Sequence, residues 1–261
     1  YNLRTGKYTH LRSSEYDPYS LSDNAIYSFC KDREDGIWIG SYFGGVNYYP
    51  RSYTHFEKYY PKGEENSLHG KRVREFCRDN YGVLWIGTED GGLNRFNLNT
   101  KEFSFFAPSA GFTNIHGLCL VDDKLWVGTF SKGLKIIDTR TGTVLKTYQK
   151  NSSPRSLIDN SIFAICRTAT GDIYLGTMFG LVKYNKQSDD FDRIPELNGK
   201  FVYDIKEDSG GNIWLATYAN GAYCYNVNDR KWKNYVHDEK DTTSLSYNKV
   251  SSIFEDSYHR I

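Results

Sequence analysis

One five-residue pattern recurs five times and constrains the fold more than any other feature of the chain. Each copy has an apolar residue, an aromatic residue, a second apolar residue, a small residue and then Ser or Thr. The copies are IWIGS at 37–41, LWIGT at 84–88, LWVGT at 125–129, IYLGT at 173–177 and IWLAT at 213–217. Their aromatic residues are 40 to 48 residues apart. This period is typical of β-propeller blades with four short strands each.

The residues around each pattern predict the other strands of a blade. A strand such as 25–30 or 72–77 comes first (strand A), and a polar turn follows it. The recurring pattern is strand B, a glycine-containing turn leads into strand C, and a second polar turn leads into strand D. Strand D is predicted at 56–59, 103–106 and 232–236. No stretch has the apolar period of a helix, so the sequence predicts an all-β fold without long helices.

The two ends of the chain match parts of a blade. Residues 1–8 align with 225–232, late in a blade, and residues 244–261 align with 67–84, at the beginning of one. We therefore expect a single, partial propeller domain over 1–261, with five complete blades and a partial blade at each end. The expected blades are 1–12 (partial), 20–60, 67–107, 112–150, 156–195, 199–237 and 244–261 (partial).

Charge and hydropathy exclude several classes of function. The 261 residues include 33 Lys and Arg and 32 Asp and Glu, so there is no excess of basic residues for nucleic acid binding. No apolar run approaches the length of about 18 residues that a membrane span needs. We therefore expect this region to contact neither nucleic acid nor a membrane. The first residues do not have the pattern of a signal peptide.

The repeats resemble those of the two-component regulator propeller family. The resemblance is clearest at Ser20–Tyr49, Ser67–Phe96 and Ser156–Tyr184, where a Ser-Leu pair precedes strand A and a D-x-x-G turn or its equivalent precedes the recurring pattern. Tyr174 in place of Trp and Ala216 in place of Gly depart from the family pattern. The resemblance implies the periplasmic sensor region of a hybrid two-component protein, in which a histidine kinase and further domains follow outside these residues.

Cysteine and aspartate positions have a structural interpretation. Cys30, Cys77, Cys119 and Cys166 occupy one repeated position on strand A, and their spacings fit no zinc motif. We expect them to be reduced and mostly buried. The Asp-Gly segments are interpreted as hairpin turns because they lack the spacing of a calcium loop. No nucleophile or metal motif is present, so we expect no catalytic residue, no metal site and no cofactor.

A ligand is expected at the end of the blades where the D–A connections and the B–C turns lie, which we call the B–C end. The B–C turns carry side chains that do not repeat, and variable loops on a rigid scaffold are common binding sites. The candidate ligand-binding residues are Tyr42, Phe43, Glu89, Asp90, Phe130, Phe179, Tyr218 and Asn220.

The function expected from the resemblance is sensing without catalysis. The expected ligand is an oligosaccharide from polysaccharide breakdown, and the expected protein partner is a second propeller or a second copy of the chain. Two alternatives remain open from the residues: a propeller that binds a polypeptide, and a propeller lyase or glycosidase. An aromatic and carboxylate pocket at the blade axis would favour sugar, a broad apolar patch would favour protein, and clustered carboxylates would favour an enzyme.

Overall fold

The computed structural model describes residues 1–17, 19–51, 57–63, 65–106 and 112–261. The chain forms two compact units, Tyr1–Leu68 and His69–Ile261, which we call the first and second units. Nearly all regular structure is β-strand, and a 3₁₀ helix of one turn spans Pro195–Leu197. In the part of the chain described, no helix is long and apolar enough to cross a membrane.

The first unit contains one antiparallel sheet, sheet I, whose three strands pair in chain order. They are β1 (Ile26–Lys31), β2 (Ile37–Ser41) and β3 (Val46–Tyr49). The fourth strand predicted at 56–59 is not confirmed: residue 56 lies outside the described residues, and 57–59 form no strand. Residues 1–12, predicted as a partial blade, also form no strand.

The second unit contains four sheets of four antiparallel strands, each a meander in chain order. Sheet II comprises β4 (Val73–Arg78), β5 (Val83–Thr88), β6 (Gly92–Asn97) and β7 (Phe103–Phe105). Sheet III comprises β8 (Ile115–Val121), β9 (Lys124–Thr129), β10 (Leu134–Asp138) and β11 (Val144–Tyr148). Sheet IV comprises β12 (Ile162–Arg167), β13 (Ile173–Thr177), β14 (Gly180–Asn185) and β15 (Asp190–Arg193). Sheet V comprises β16 (Val202–Glu207), β17 (Ile213–Thr217), β18 (Ala222–Asn226) and β19 (Lys231–Tyr235).

The A strands of the second unit lie side by side. Strand β4 contacts β8, β8 contacts β12, and β12 contacts β16. The four sheets therefore follow one another as blades around a common axis, with strand A innermost, and the predicted all-β propeller fold is confirmed. Residues 244–261, predicted to begin a further blade, attach to sheet V without forming a strand.

The hydrophobic core lies between neighbouring sheets, and the recurring pattern supplies much of it. Trp85, Trp126 and Tyr174 are buried in three successive cores between sheets. The small fourth residue of the pattern is also explained by packing. A Cβ on Gly87 would lie 2.6 Å from Ile115 Cγ2, and one on Gly128 would lie 2.8 Å from Ile162 Cγ2. The pattern is therefore a packing motif, in which a side chain of strand A of the next sheet packs against the small residue of strand B.

The Asp of the A–B turn fixes both the turn and the aromatic residue that follows it. In sheet II, Oδ1 of Asp79 accepts hydrogen bonds from the backbone N–H groups of Tyr81 and Val83, at 2.8 and 2.9 Å. Its other oxygen, Oδ2, accepts from Nε1 of Trp85 at 2.9 Å. Equivalent bonds join Asp32 to Trp38 and Asp208 to Trp214. The interpretation of these segments as hairpin turns is confirmed.

The repeated cysteines are free thiols on strand A, as predicted, but their predicted burial is only partly right. Cys77, Cys119 and Cys166 are partly buried, and this burial raises the pKa of each thiol to about 11. For Cys30 the prediction is wrong, because this residue is exposed. Cys30 lies in sheet I, and among the described residues of the first unit no second sheet packs on β1.

Candidate ligand-binding site

The B–C turns of the second unit are closed by the Thr that ends strand B. The side-chain hydroxyl donates a hydrogen bond to the carbonyl of the glycine that closes the turn. These bonds join Thr88 to Gly92, Thr129 to Gly133, Thr177 to Gly180 and Thr217 to Gly221, at 2.6 to 3.0 Å. Three of the turns have the same length and a closing glycine with φ of 75–80°, and the turn that ends at Gly180 is one residue shorter. The closing bond is therefore constant while the side chains at the tips vary.

The D–A connections are closed by the Ser of the Ser-Leu pair. The Ser156 hydroxyl accepts a hydrogen bond from the backbone N–H of Asn151 at 3.2 Å and contacts the Ser153 carbonyl at 2.8 Å. Ser244 accepts in the same way from the N–H of Asp238 at 2.9 Å. Each connection is thus folded back on itself, and the entry into the next strand A is fixed.

A β-bulge interrupts every strand A at its second residue. The register shifts fall between Val73 and Glu75, Ile115 and Gly117, Ile162 and Ala164, and Val202 and Asp204. The residues at the four bulges are Arg74, His116, Phe163 and Tyr203. A bulge redirects a side chain away from the alternation of the strand, and such bulges are common next to binding sites.

The bulge residues form the centre of an aromatic cluster at the B–C end. Phe163 lies in the middle, with ring centroids 4.6 Å from His116, 4.4 Å from Phe201 and 5.5 Å from Tyr203. Two residues from the tips of the B–C turns extend the cluster. Phe130 lies 5.7 Å from His116, and Tyr218 is stacked on Phe201 at 5.5 Å. The "axial cluster" below denotes His116, Phe130, Phe163, Phe201, Tyr203 and Tyr218.

Arg74 joins the axial cluster to an acidic turn residue. Its guanidinium lies 4.9 Å from the ring centroid of Tyr203 and 5.7 Å from that of Phe163, within reach of a cation–π attraction. Its Nη1 is 3.4 Å from Oε1 of Glu89, a long contact for a salt bridge. Nε of Arg74 is buried and has no hydrogen-bond partner among the residues that the structure describes.

His116 is neutral at this site. Burial, together with the positive charge of Arg74, lowers the pKa of His116 to about 4. Its Nε2 is 2.6 Å from Oδ1 of Asn114, an acceptor, which assigns the proton of the neutral ring to Nε2. Nδ1 is then an acceptor, and it is buried without a partner in the described part of the chain.

A polar cavity of about 550 Å³ lies beside the axial cluster, between the A strands. Phe163 and Tyr203 belong to both the cavity wall and the axial cluster. Arg74, which contacts both of these rings, is also in the wall. Further polar groups of the wall come from three segments of the second unit and are Glu75, Asp204, Lys206, Ser251 and Ser252. The volume is within the range of ordinary small-molecule sites. We call this space the axial cavity.

The two carboxylates of the axial cavity have different surroundings. Asp204 is held by residues 244–261, which we call the final segment. Its Oδ2 accepts hydrogen bonds from the Ser252 hydroxyl at 3.1 Å and from the Ile253 N–H at 3.0 Å. Glu75 receives no hydrogen bond from any residue that the structure describes. Burial raises the pKa of Glu75 to about 7, against the opposing effect of Arg74.

The structure brings together three of the eight predicted ligand-binding residues. Phe130 and Tyr218 are in the axial cluster, 38% and 46% exposed, and Glu89 contacts Arg74. Asp90 is at the same end, but its carboxylate accepts hydrogen bonds from the backbone of Lys71 and Arg72 and so braces its own loop.

The other predicted residues lie outside the axial cluster. Phe179 is exposed at a turn tip without a ring contact to the cluster, and Asn220 is half-buried in its turn. Tyr42 and Phe43 belong to the first unit, where their rings contact each other at 4.2 Å and Tyr42 also contacts Tyr27 at 4.9 Å. Tyr27 is the bulge residue of β1.

Sequence reasoning missed the strand A residues of the site. Arg74, His116, Phe163 and Tyr203 share one column of the repeat, and the residues differ in chemistry although the preceding residue is always Val or Ile. This variation is a signal that could have been read from the repeat alone. No group of three or more His, Cys, Asp or Glu side chains suited to a metal ion occurs within the described ranges.

Comparisons with known proteins agree with this architecture. The sequence model of the two-component regulator propeller family matches residues 20–43, 67–90 and 196–219. No curated protein sequence matches the chain significantly. The chain therefore carries two-component regulator propeller repeats.

Two solved structures have a similar fold over most of this chain. One is the extracellular domain of a putative hybrid two-component system from B. thetaiotaomicron, with 22% identity and a TM-score of 0.51 over 90% of this chain. Another is PorZ, a surface component of the type-IX secretion system of Porphyromonas gingivalis, with 16% identity and a TM-score of 0.60 over 88% of this chain. The chain spans 36% of the length of either structure.

Proposed function

We propose that this chain is the ligand-binding part of a two-component signalling sensor, that it works outside the cytoplasm in the periplasm, and that its ligand is an oligosaccharide. The repeats and the extracellular domain with a similar fold support the sensor role. The observation that supports an oligosaccharide most strongly is the axial cluster beside a polar cavity. Sugar rings have apolar faces that pack on aromatic rings and hydroxyl groups that need polar partners.

The site offers both kinds of contact within one unit. Phe130 and Tyr218 are partly exposed and supply aromatic surface in the axial cluster, where Phe130 lies 6.0 Å from Phe163 of the cavity wall. Arg74, Glu75 and Lys206 supply polar groups in the cavity wall. Because these groups come from several sheets, a bound oligosaccharide would contact three or more blades at once. A polypeptide ligand is less well supported, since the wall of the cavity is mainly polar.

A Ser, a Glu and a His lie together elsewhere in the second unit, and their geometry favours a structural role. Ser209 Oγ is 2.5 Å from Oε1 of Glu255 and 2.8 Å from Nδ1 of His259, and the Ser209 N–H also donates to Glu255 at 2.8 Å. The same turn-to-glutamate bond joins the Ala169 N–H to Glu207 between sheets IV and V. A repeated connection of this kind links successive blades, so the proposal assigns no catalytic residue.

The proposed output is a change in propeller packing or dimer geometry that reaches a histidine kinase across a membrane. A ligand can drive such a change only if it binds the two states with unequal affinity. The final segment is well placed for this role because Asp204, in the cavity wall, also binds Ser252 and Ile253. A ligand that contacts Asp204 would alter a bond between sheet V and the following segment.

The experiment is a glycan-array screen of the 261-residue chain, followed by calorimetry with each oligosaccharide that binds. We expect Tyr218→Ala to weaken binding about tenfold, because the contact of one aromatic ring with a sugar ring contributes on the order of 1 kcal/mol or more to the binding free energy. Phe179→Ala is the matched control, since Phe179 is also an exposed turn-tip residue but lies outside the axial cluster. Tyr42→Ala tests the first unit separately. Equal losses for Tyr218→Ala and Phe179→Ala, or binding of no oligosaccharide, would contradict the proposal.

A further inference from the structure

The charged side chains of the axial cavity offer more free hydrogen-bond donors than free acceptors. Arg74 has five N–H donors, of which the described contacts use one, in the 3.4 Å contact with Glu89. Lys206 is exposed and makes neither a hydrogen bond nor a salt bridge with any residue that the structure describes. Its ammonium group therefore remains available to a ligand.

The carboxylates of the same wall belong to Asp204 and Glu75. Both oxygens of Asp204 accept hydrogen bonds, one from Ser252 and Ile253 and the other from the N–H of Ile205 at 2.9 Å. Glu75 alone has a carboxyl group without a donor among the described residues, and its burial favours the protonated form, in which it is itself a donor.

The aromatic rings hold Arg74 in place for a bidentate contact. Its guanidinium is within 6 Å of the ring centroids of both Phe163 and Tyr203, so the planar group is restricted before a ligand arrives. A planar guanidinium matches the two oxygens of a carboxylate or a sulfate, and a fixed one loses less entropy on binding. A neutral sugar has only hydroxyl oxygens to accept from these donors, whereas a carboxylate or sulfate accepts charge-assisted hydrogen bonds.

From this balance of donors and acceptors we infer that the ligand of the axial cavity is an acidic sugar, whose carboxylate or sulfate group binds Arg74 and Lys206. The inference rests on the proposed function and adds the charge of the ligand to it. The sugar ring would pack on the exposed parts of the axial cluster. Glu75 would contact a hydroxyl group next to the acidic group.

The test compares ligands of equal length and different charge by titration calorimetry. Trigalacturonate and galactotriose form one pair, and galactose 6-sulfate and galactose form the other. We expect an anionic member to bind at least about tenfold more tightly than its neutral or unsulfated partner, as charge-assisted hydrogen bonds permit. The first pair reports recognition of a carboxylate and the second recognition of a sulfate.

Variants connect the preference to the residues. Arg74→Gln should reduce the affinity for the anionic sugar about tenfold or more and leave that for the neutral sugar nearly unchanged. Arg74→Lys keeps the charge but not the bidentate geometry. Its affinity for the anionic sugar should lie between those of the original chain and of Arg74→Gln. Lys206→Gln should weaken anion binding by a smaller factor. Lys186→Gln, in the C–D turn at the other end of sheet IV, is the control for net charge and should have no effect.

The outcomes separate this inference from the proposed function. If neither anionic sugar binds more tightly than its neutral partner, or if Arg74→Gln weakens the binding of anionic and neutral sugars alike, the inference is wrong while oligosaccharide binding stands. If no sugar of either charge binds, both are contradicted. Circular dichroism and thermal unfolding of Arg74→Gln and Arg74→Lys show whether a loss of binding reflects a loss of fold, and the Lys206→Gln variant tests the inference independently of Arg74.

Discussion

The guanidinium of Arg74 lies 4.9 Å from the ring centroid of Tyr203, although the two residues belong to sheets II and V, with two sheets between them in the chain. Both are bulge residues of strand A. Their contact shows that the four sheets of the second unit curve around a common centre and that the bulges direct one side chain from each sheet toward it. A repeated fold thereby builds a site from residues that do not repeat.

The buried bond between Asp79 and Trp85 leads to a prediction about stability. Asp79→Ala should lower the free energy of unfolding by about 1–3 kcal/mol, because the indole N–H and two turn N–H groups lose their acceptor. Urea denaturation measures this change. The equivalent variant Asp32→Ala is the control and should cost clearly less, since Trp38 is 44% exposed and water can replace the carboxylate. Equal losses would contradict the explanation.

The glycines at the fourth position of the recurring pattern lead to a prediction about packing. A Cβ on Gly176 would lie 2.8 Å from Cγ1 of Val202, so Gly176→Ala should destabilise the chain by about 1–3 kcal/mol through overpacking. The double variant Gly176→Ala, Val202→Ala relieves the clash and should lose less than the sum of the two single changes. Thermal unfolding of the four proteins tests this. Strictly additive effects would show that the two residues do not press on each other.

Glu75 predicts a pH dependence of stability. Its ordinary pKa of 4.5 is raised to about 7 by burial, so the folded chain keeps a proton that the unfolded chain loses. The contribution of Glu75 to the free energy of unfolding therefore falls as pH rises from about 4.5 to about 7, by about 1–3 kcal/mol, and is constant above that range. Glu75→Gln should remove this decrease.

Urea denaturation at pH 5 and pH 8 measures the effect of Glu75. The variant should gain stability relative to the original chain at pH 8 and little at pH 5. Glu239→Gln, at an exposed position, is the control and should behave alike at both pH values. A Glu75→Gln variant with the same pH profile as the original chain would mean that the carboxyl group ionises normally in the folded state.

The cysteines predict different rates of alkylation. Cys30 is exposed and should react rapidly with iodoacetamide at pH 8. Cys77, Cys119 and Cys166 should react at least about tenfold more slowly, because burial restricts access and raises their pKa to about 11. Peptide mass spectrometry after timed labelling measures the rates. A cross-link between any two of these cysteines, or equal rates for all four, would contradict the structure.

The repeat predicted the strands because each side chain of the recurring pattern has a packing role that sequence alone reveals. The aromatic residue, the glycine and the Ser or Thr at 84–88 all make the contacts that their chemistry suggests. The bulges were not predicted, since a shift of register leaves the apolar pattern of strand A nearly unchanged. Arg74 lies within the strand predicted at 72–77, and the bulge turns its side chain toward the site.

Hydrogen exchange of the 261-residue chain with and without a saturating oligosaccharide from the glycan screen tests the central claim, that the ligand binds at the B–C end of the second unit. We predict slower exchange at the B–C turns, residues 88–92, 129–133 and 217–221, and in the bulged part of each strand A. Exchange at the A–B turns, residues 79–82, 168–171 and 208–211, should not change. Protection of the A–B turns without protection of the B–C turns would contradict the account.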